Sequence, residues 1–245
     1  MNSSIICSSN SNLSFQTQKY KEEKYIIKNF LNDSINMNIN EGSKTHVIYF
    51  SHKAEKVSIN AKLDAYSELN IDIILLGQDA NNTYLFDLLG SEANLNVRIL
   101  SLAKNCKKDF DITVNHLAKY TKSKVSNYGI SFENGHNNFN VIGKIEGNMT
   151  GSDVSQITKG LILSPSGECL AKPILLIDYY DVKAYHGASI GKVNDDDLFY
   201  LMSRGLTKNE AYMLVINGLL EPFITDDLDE ETKNEIISSY KKYFD

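Results

Sequence analysis

From His46 to about Ile190 the apolar residues come in short runs separated by Gly, Asn, Asp or Lys. The runs are HVIYF (46–50), KVSI (56–59), IDIILL (71–76), LNVRIL (95–100), FDITV (110–114), KVSNY (124–128), FNVI (139–142), GLIL (160–163), PILLI (173–177) and DVKA (181–184). Many of their members are β-branched or aromatic, so the spacing predicts an all-β unit over 46–191. Run length and the scarcity of Asn-Gly dipeptides, with Asn134-Gly135 as the exception, lean toward a solenoid over a sandwich. No strict internal repeat decides between them.

The flanks follow other patterns. Residues 1–16 are rich in Ser and Asn and are expected to form a mobile tail. Between 16 and 32, Tyr20, Tyr25, Ile26, Phe30 and Leu31 fall near helical spacing, predicting one amphipathic helix with KEEK (21–24) on its solvated face and a linker over 32–45. After Gly191 the period becomes helical throughout, defining a C-terminal helical domain over 192–245. Asn194 caps a first helix whose opening turn is Asp195, Asp196 and Asp197, and Gly205 fits the left-handed position that ends it. Thr207 and Glu210 form a capping box for a second helix, with Ala211, Leu214, Val215 and Gly218 expected on its inner side and Pro222 past its end. A third helix is expected from about Asp226 to Tyr243, with Leu228, Ile236, Ile237 and Tyr240 facing inward.

Composition narrows the function. A hydrophobic content of 42% supports a real core, and a net charge of −6 without a basic block argues against a nucleic-acid surface. No apolar run approaches the roughly 20 residues of a membrane helix, so a cytoplasmic location without a membrane partner is expected. Cys7, Cys106 and Cys169 form no C-x-x-C pair, which disfavours a disulfide scaffold or a self-contained metal site. The chain has no phosphate-binding G-x-x-x-x-G-K-[ST] loop, no G-x-S-x-G elbow and no H-E-x-x-H helix.

One histidine stands apart. His186 is followed by Gly187 and Ala188, so small neighbours leave its imidazole approachable by an ion or a second chain. The surrounding stretch DVKAYHGASIGKVNDDDLFYLMSRGLTKNEAYMLVINGLLEPFI, 181–224, resembles the C-terminal signature of the SufB/SufD family of iron–sulfur cluster assembly proteins. Similar segments precede it in the family's order: DITVNH (111–116), TKSKVSNYGI (121–130), GKI (143–145), Asp153, Gln156, LILS (161–164) and Lys172-Pro173. Gly187 stands where SufB members carry Glu, and Thr158 falls near a SufB cysteine, so the resemblance is to SufD and to a compact form of it.

The resemblance implies a right-handed parallel β-helix and a non-enzymatic scaffold handling a transient iron–sulfur cluster at a subunit interface. His186 is the implied ligand, and Cys169, one rung earlier, is a second candidate to be weighed against a buried thiol acting as a small apolar group. It further implies pairing through the β-helix, with a SufB-like paralogue or as a homodimer with a second copy. Docking of the SufC ATPase is expected on the C-terminal helices, with Phe199, Leu201, Met202, Arg204, Tyr212, Leu214 and Val215 as the surface. A β-solenoid carbohydrate-active enzyme and a purely structural docking module are the alternatives, though no pair of carboxylates stands out for sugar chemistry.

Overall fold

A computed structural model describes residues 2–7, 12–28, 33–52, 56–225, 228–241 and 244. Among the described residues fifteen strands are followed by three helices. The odd strands are β1 Asn2–Cys7, β3 Glu22–Lys28, β5 Lys44–Ser51, β7 Glu68–Gly77, β9 Asn94–Ala103, β11 Lys122–Ser131, β13 Asp153–Ile162 and β15 Lys183–Lys192. The even strands are β2 Asn12–Gln16, β4 Asp33–Ile39, β6 Lys56–Leu63, β8 Ala80–Leu88, β10 Lys107–His116, β12 His136–Ile145 and β14 Glu168–Ile177. Odd strands form an eight-stranded sheet in chain order and even strands a seven-stranded one, and each pairs in parallel with the strand two along. The chain therefore winds as a parallel β-solenoid, laying one strand in each sheet per coil. The expected β-helix is what the residues form.

The interior follows from the period of two. Along β12 every second residue is buried, and the inward residues of both sheets join one core that includes Ile59, Tyr84, Val97, Phe110 and Phe139. The rings of Phe110 and Phe139, register partners, stack with centroids 4.7 Å apart. Such aromatic ladders add about 0.5–1.5 kcal/mol beyond area burial.

The helix expected over 16–32 is corrected. Its described residues lie in β2, the β2–β3 turn and β3, while 29–32, with Phe30 and Leu31, fall outside the described residues. Tyr25 and Ile27 point into the core with their register partners Val47 and Tyr49, and Ile26 is buried on the opposite face. Burial on both faces produced the apolar spacing that mimics a helix, and sheet pairing decided the outcome. Lys24, expected on a solvated face, is buried. The tail and linker likewise contain β1 and β4, so the solenoid begins ahead of residue 46.

Helices α1 Asp195–Ser203, α2 Lys208–Leu220 and α3 Glu230–Lys241 occupy the C-terminal segment, with a 3₁₀ turn over Glu221–Phe223. The ends expected at Asp226 and Tyr243 lie outside the described residues. Asn194 accepts from the Asp196 N–H, both halves of the Thr207/Glu210 capping box are formed, and Gly205 has φ +98°. Ile216, Leu220, Phe223, Leu228, Ile236 and Tyr240 pack on the outer face of the eight-stranded sheet against Ile48, Phe50, Ile74, Leu100 and Ile130. Lys28 binds Asp229 at 2.8 Å, and His52 Nδ1 lies 3.0 Å from Glu235, tying α3 and its approach to the coils. Among the described residues, no helix is long and apolar enough to cross a membrane.

Candidate functional site

Two strand edges are left open at one end of the solenoid. β15 ends the eight-stranded sheet and β14 the seven-stranded one, and among the described residues nothing pairs with their outer sides. An unpaired parallel edge presents a row of N–H and C=O groups that favours pairing with another chain.

His186 sits in the middle of β15, in register with Gln156 of β13. Val154, Gln156 and Thr158 are buried, facing the core, so their register partners Ala184, His186 and Ala188 lie on the same inward-facing side. No further coil covers them among the described residues, and all three are exposed. His186 is thus presented at the open end of the barrel instead of being walled within it. Tyr185 alternates to the outer face, where a Cβ on Gly187 would stand 2.9 Å from its hydroxyl.

Cys169 and His186 are not brought together. Cys169 is buried on β14, and a Cβ on Gly160 would meet its Sγ at 2.6 Å and Ile190 at 3.0 Å. Its thiol therefore lies level with the Gly160–Ile190 pair, four residues along β15 from His186, roughly 13 Å at strand rise. Burial pushes the thiol up to about 12, so it is protonated at neutral pH. The small-apolar reading fits this thiol. Among the described residues no group of three or more His, Cys, Asp or Glu side chains stands close enough to hold a metal. His186 supplies one imidazole, a borderline ligand.

Thr158 is buried and accepts a hydrogen bond from Asn127 at 3.0 Å. His116 is fully buried, with its ring nitrogens 2.8 Å from the Thr121 and Ser123 hydroxyls. Sequence reasoning missed the ion-pair cluster under the helices. Arg98 donates to both carboxylate oxygens of Asp72, His46 lies 3.0 Å from the same group, and Phe223 covers the guanidinium at 5.3 Å. Burial pushes Asp72 up, but the hydrogen bonds from His46 and Arg98 outweigh it and hold the carboxyl below its usual range.

On the helices, Phe199 is 74% exposed and Leu214 51% exposed, and Tyr200 and Met202 are also open. Leu201, Tyr212 and Val215 are partly buried against Val193, Leu198 and Ala211. The inner side expected for α2 is corrected for Leu214 and Gly218. α2 is held between α1 and the sheet, so Ala211, Ile216 and Leu220 are buried while Leu214 and Gly218 face outward. Arg204 lies 5.2 Å over the Tyr200 ring.

The family described as "SUF system FeS cluster assembly, SufBD core domain" matches residues 2–219, spanning the coils and the first two helices. The chain belongs to the SufBD core family. It is 37% identical over 131 residues to "Iron-sulfur cluster assembly protein SufD" of Bacillus subtilis (strain 168), covering 54% of this chain and 30% of that protein. It is 27% identical over 148 residues to the protein of the same name from Escherichia coli (strain K12), covering 59% of this chain and 35% of that one. A SufBD family protein of Archaeoglobus fulgidus is 46% identical over 63 residues, covering 26% and 17%. The match thus spans about a third or less of each of these relatives. The first strands, expected to be tail and helix, lie within the family match.

Proposed function

We propose that this SufBD protein is a SufD-like, non-enzymatic scaffold subunit that presents His186 at a seam between two solenoids, where a transient iron–sulfur cluster is assembled as cargo. The observation that carries the reading is the exposed imidazole on the inward side of an unpaired edge strand. Pairing along β14 and β15, with a SufB-like paralogue or a second copy, would satisfy the open backbone edge and surround His186 with donors from the second chain. The apolar side chains Phe199, Met202 and Leu214, with Arg204 beside them, would dock a SufC-type ATPase, because an exposed apolar helix face rimmed by charge suits a groove. ATP use by that subunit would open and close the seam.

Anaerobic reconstitution of the complex with iron and sulfide, comparing wild type with His186→Ala, tests the assignment. Cluster yield is expected to fall with the variant while the complex keeps its mass. Equal yield leaves a docking role only. Co-expression with a SufC-type ATPase separates the pairing modes, since two copies of this chain in the purified complex show that a paralogue is not required.

A further inference from the structure

One corner of the solenoid carries a row of exposed rings that neither the seam nor the helices use. At this corner six successive coils place the residue two before the strand in the left-handed region: Tyr20, Gly42, Tyr66, Glu92, Tyr120 and Gly151, with φ from +57° to +69°, and the 146–152 loop adds Gly147 and Asn148. The N–H of each donates to the next coil, as Tyr66 does to Ser91 and Tyr120 to Thr150, both at 2.9 Å. Glycine is the unstrained occupant of such a position, and a bulky aromatic residue there is a conformational outlier. Strained residues concentrate where they serve a function. The chain places tyrosine at three of the six, and these rings remain 68%, 59% and 52% exposed at Tyr20, Tyr66 and Tyr120. Tyr180, 92% exposed, stands beside the equivalent place on the last coil, Leu89 is open on the coil between Tyr66 and Tyr120, and Leu117 is open beside Tyr120.

The rings recur on every second coil. Neighbouring strands stand about 4.8 Å apart, so successive tyrosines are spaced by roughly 9.6 Å. A polyproline II helix repeats every three residues, at about 3.1 Å each, or roughly 9.3 Å, and aromatic rows are the usual receptors for such segments. The corner loops, 18–21, 40–43, 64–67, 89–93, 117–121, 146–152 and 178–182, hold six carboxylates against three lysines. Glu41 is already bound by the Tyr20 hydroxyl and Lys19, which leaves five carboxylates, Asp64 and Glu92 among them, against two lysines. We infer that this tyrosine corner is a docking surface for a basic, proline-rich polypeptide segment in the polyproline II conformation, lying along the solenoid axis. Prolines at every third position rest on Tyr20, Tyr66, Tyr120 and Tyr180, and basic side chains between them face the carboxylates.

Titrating the full chain into a labelled peptide of repeated Arg-Pro-Pro triplets, followed by fluorescence anisotropy, tests the inference. The rings of Tyr20 and Tyr120 lie over Gly42 and Gly151 of the next coil, so the variant is made at Tyr66. Asparagine tolerates the left-handed region, and Tyr66→Asn is expected to melt no lower than wild type yet bind at least about tenfold more weakly. Glu92→Lys, an exposed change independent of the rings, is expected to weaken binding as well. A peptide of equal charge with Gly in place of Pro is expected to bind at least about tenfold more weakly than the proline peptide. The inference is overturned if wild type shows no saturable binding, if the Gly peptide binds equally, or if the Tyr variant binds equally. It is also overturned if that variant melts lower, which would make the rings a buttress of the coil, or if a neutral oligosaccharide binds and the peptide does not.

Discussion

His116 sets a pH limit on the fold. Burial between the Thr121 and Ser123 hydroxyls pushes its imidazole down to about 4, whereas an unfolded histidine titrates near 6.5. Between those pH values the unfolded chain takes the proton and the folded chain does not, so stability is lost as pH falls through this window, by on the order of 3 kcal/mol. Urea midpoints at pH 7 and pH 4 are expected to show the loss in wild type and a smaller one in His116→Gln. Lys108 acts at the opposite end of the scale. Its buried ammonium donates to the carbonyls of Leu75 and Leu102, and burial pushes it down to about 8. The unfolded lysine still holds its proton between about 8 and 10.4, so stability rises with pH over that range, a rise expected to vanish in Lys108→Met. Neither group was legible beforehand. In the sequence His116 is one member of the DITVNH segment with nothing to mark its partners, because Thr121 and Ser123 reach it only through the turn between β10 and β11. Lysine is rarely buried, and only the period of β10 turns Lys108 inward while leaving Lys107 outside.

At the level of elements, local rules were readable wherever the chain satisfies itself. Each of the ten apolar runs falls on or overlaps a strand, because alternation on a pleated surface is a local property. The capping box was equally local, and Thr207→Ala is expected to cost about 1 kcal/mol, read as a lower fraction of α2 helicity in hydrogen exchange. β8 escaped notice because its ANNTYLFDL sequence is largely polar on the outer face. Asn134-Gly135 looked like a hairpin signal, yet it joins strands in two different sheets. A Cβ on Gly135 would lie 2.0 Å from the Ala103 carbonyl oxygen of the previous coil. Gly90 is tighter still, with a Cβ placed 1.9 Å from the Ala65 backbone nitrogen. Backbone cannot swing aside as a side chain does, so Gly90→Ala is expected to destabilise by about 3 kcal/mol or more, measured by chemical denaturation. The helix expected over 16–32 failed for the converse reason, since what fixes β3 is its pairing with β5, distant in the chain.

For the whole molecule, stability is a sum over neighbours, because each coil touches mainly the coils before and after it. The helices change that pattern by spanning several coils of the eight-stranded sheet at once, from Ile48 to Phe132. The pairing of Lys28 with Asp229 holds that carboxyl down at about 2, with the hydrogen bond from Lys28 the main cause. This anchor is partly solvated, so Lys28→Ala is expected to cost about 1 kcal/mol or less and to raise exchange in α3 before exchange in the coils.

Paired positions step by 22 residues from Glu22 to Lys44 but by 31 from Lys122 to Asp153. That drift is why no repeat could be seen in a chain built of stacked coils. It also makes the coils non-interchangeable. A solenoid with one fixed period can gain or lose a unit and close up again, whereas here the step rises from 22 to 31 residues before a last step of 30 from Asp153 to Lys183, and a removed coil would leave neighbours of unequal length. The order of segments is thus locked in by length, and this protein is expected to evolve by substitution within its coils and not by shuffling them.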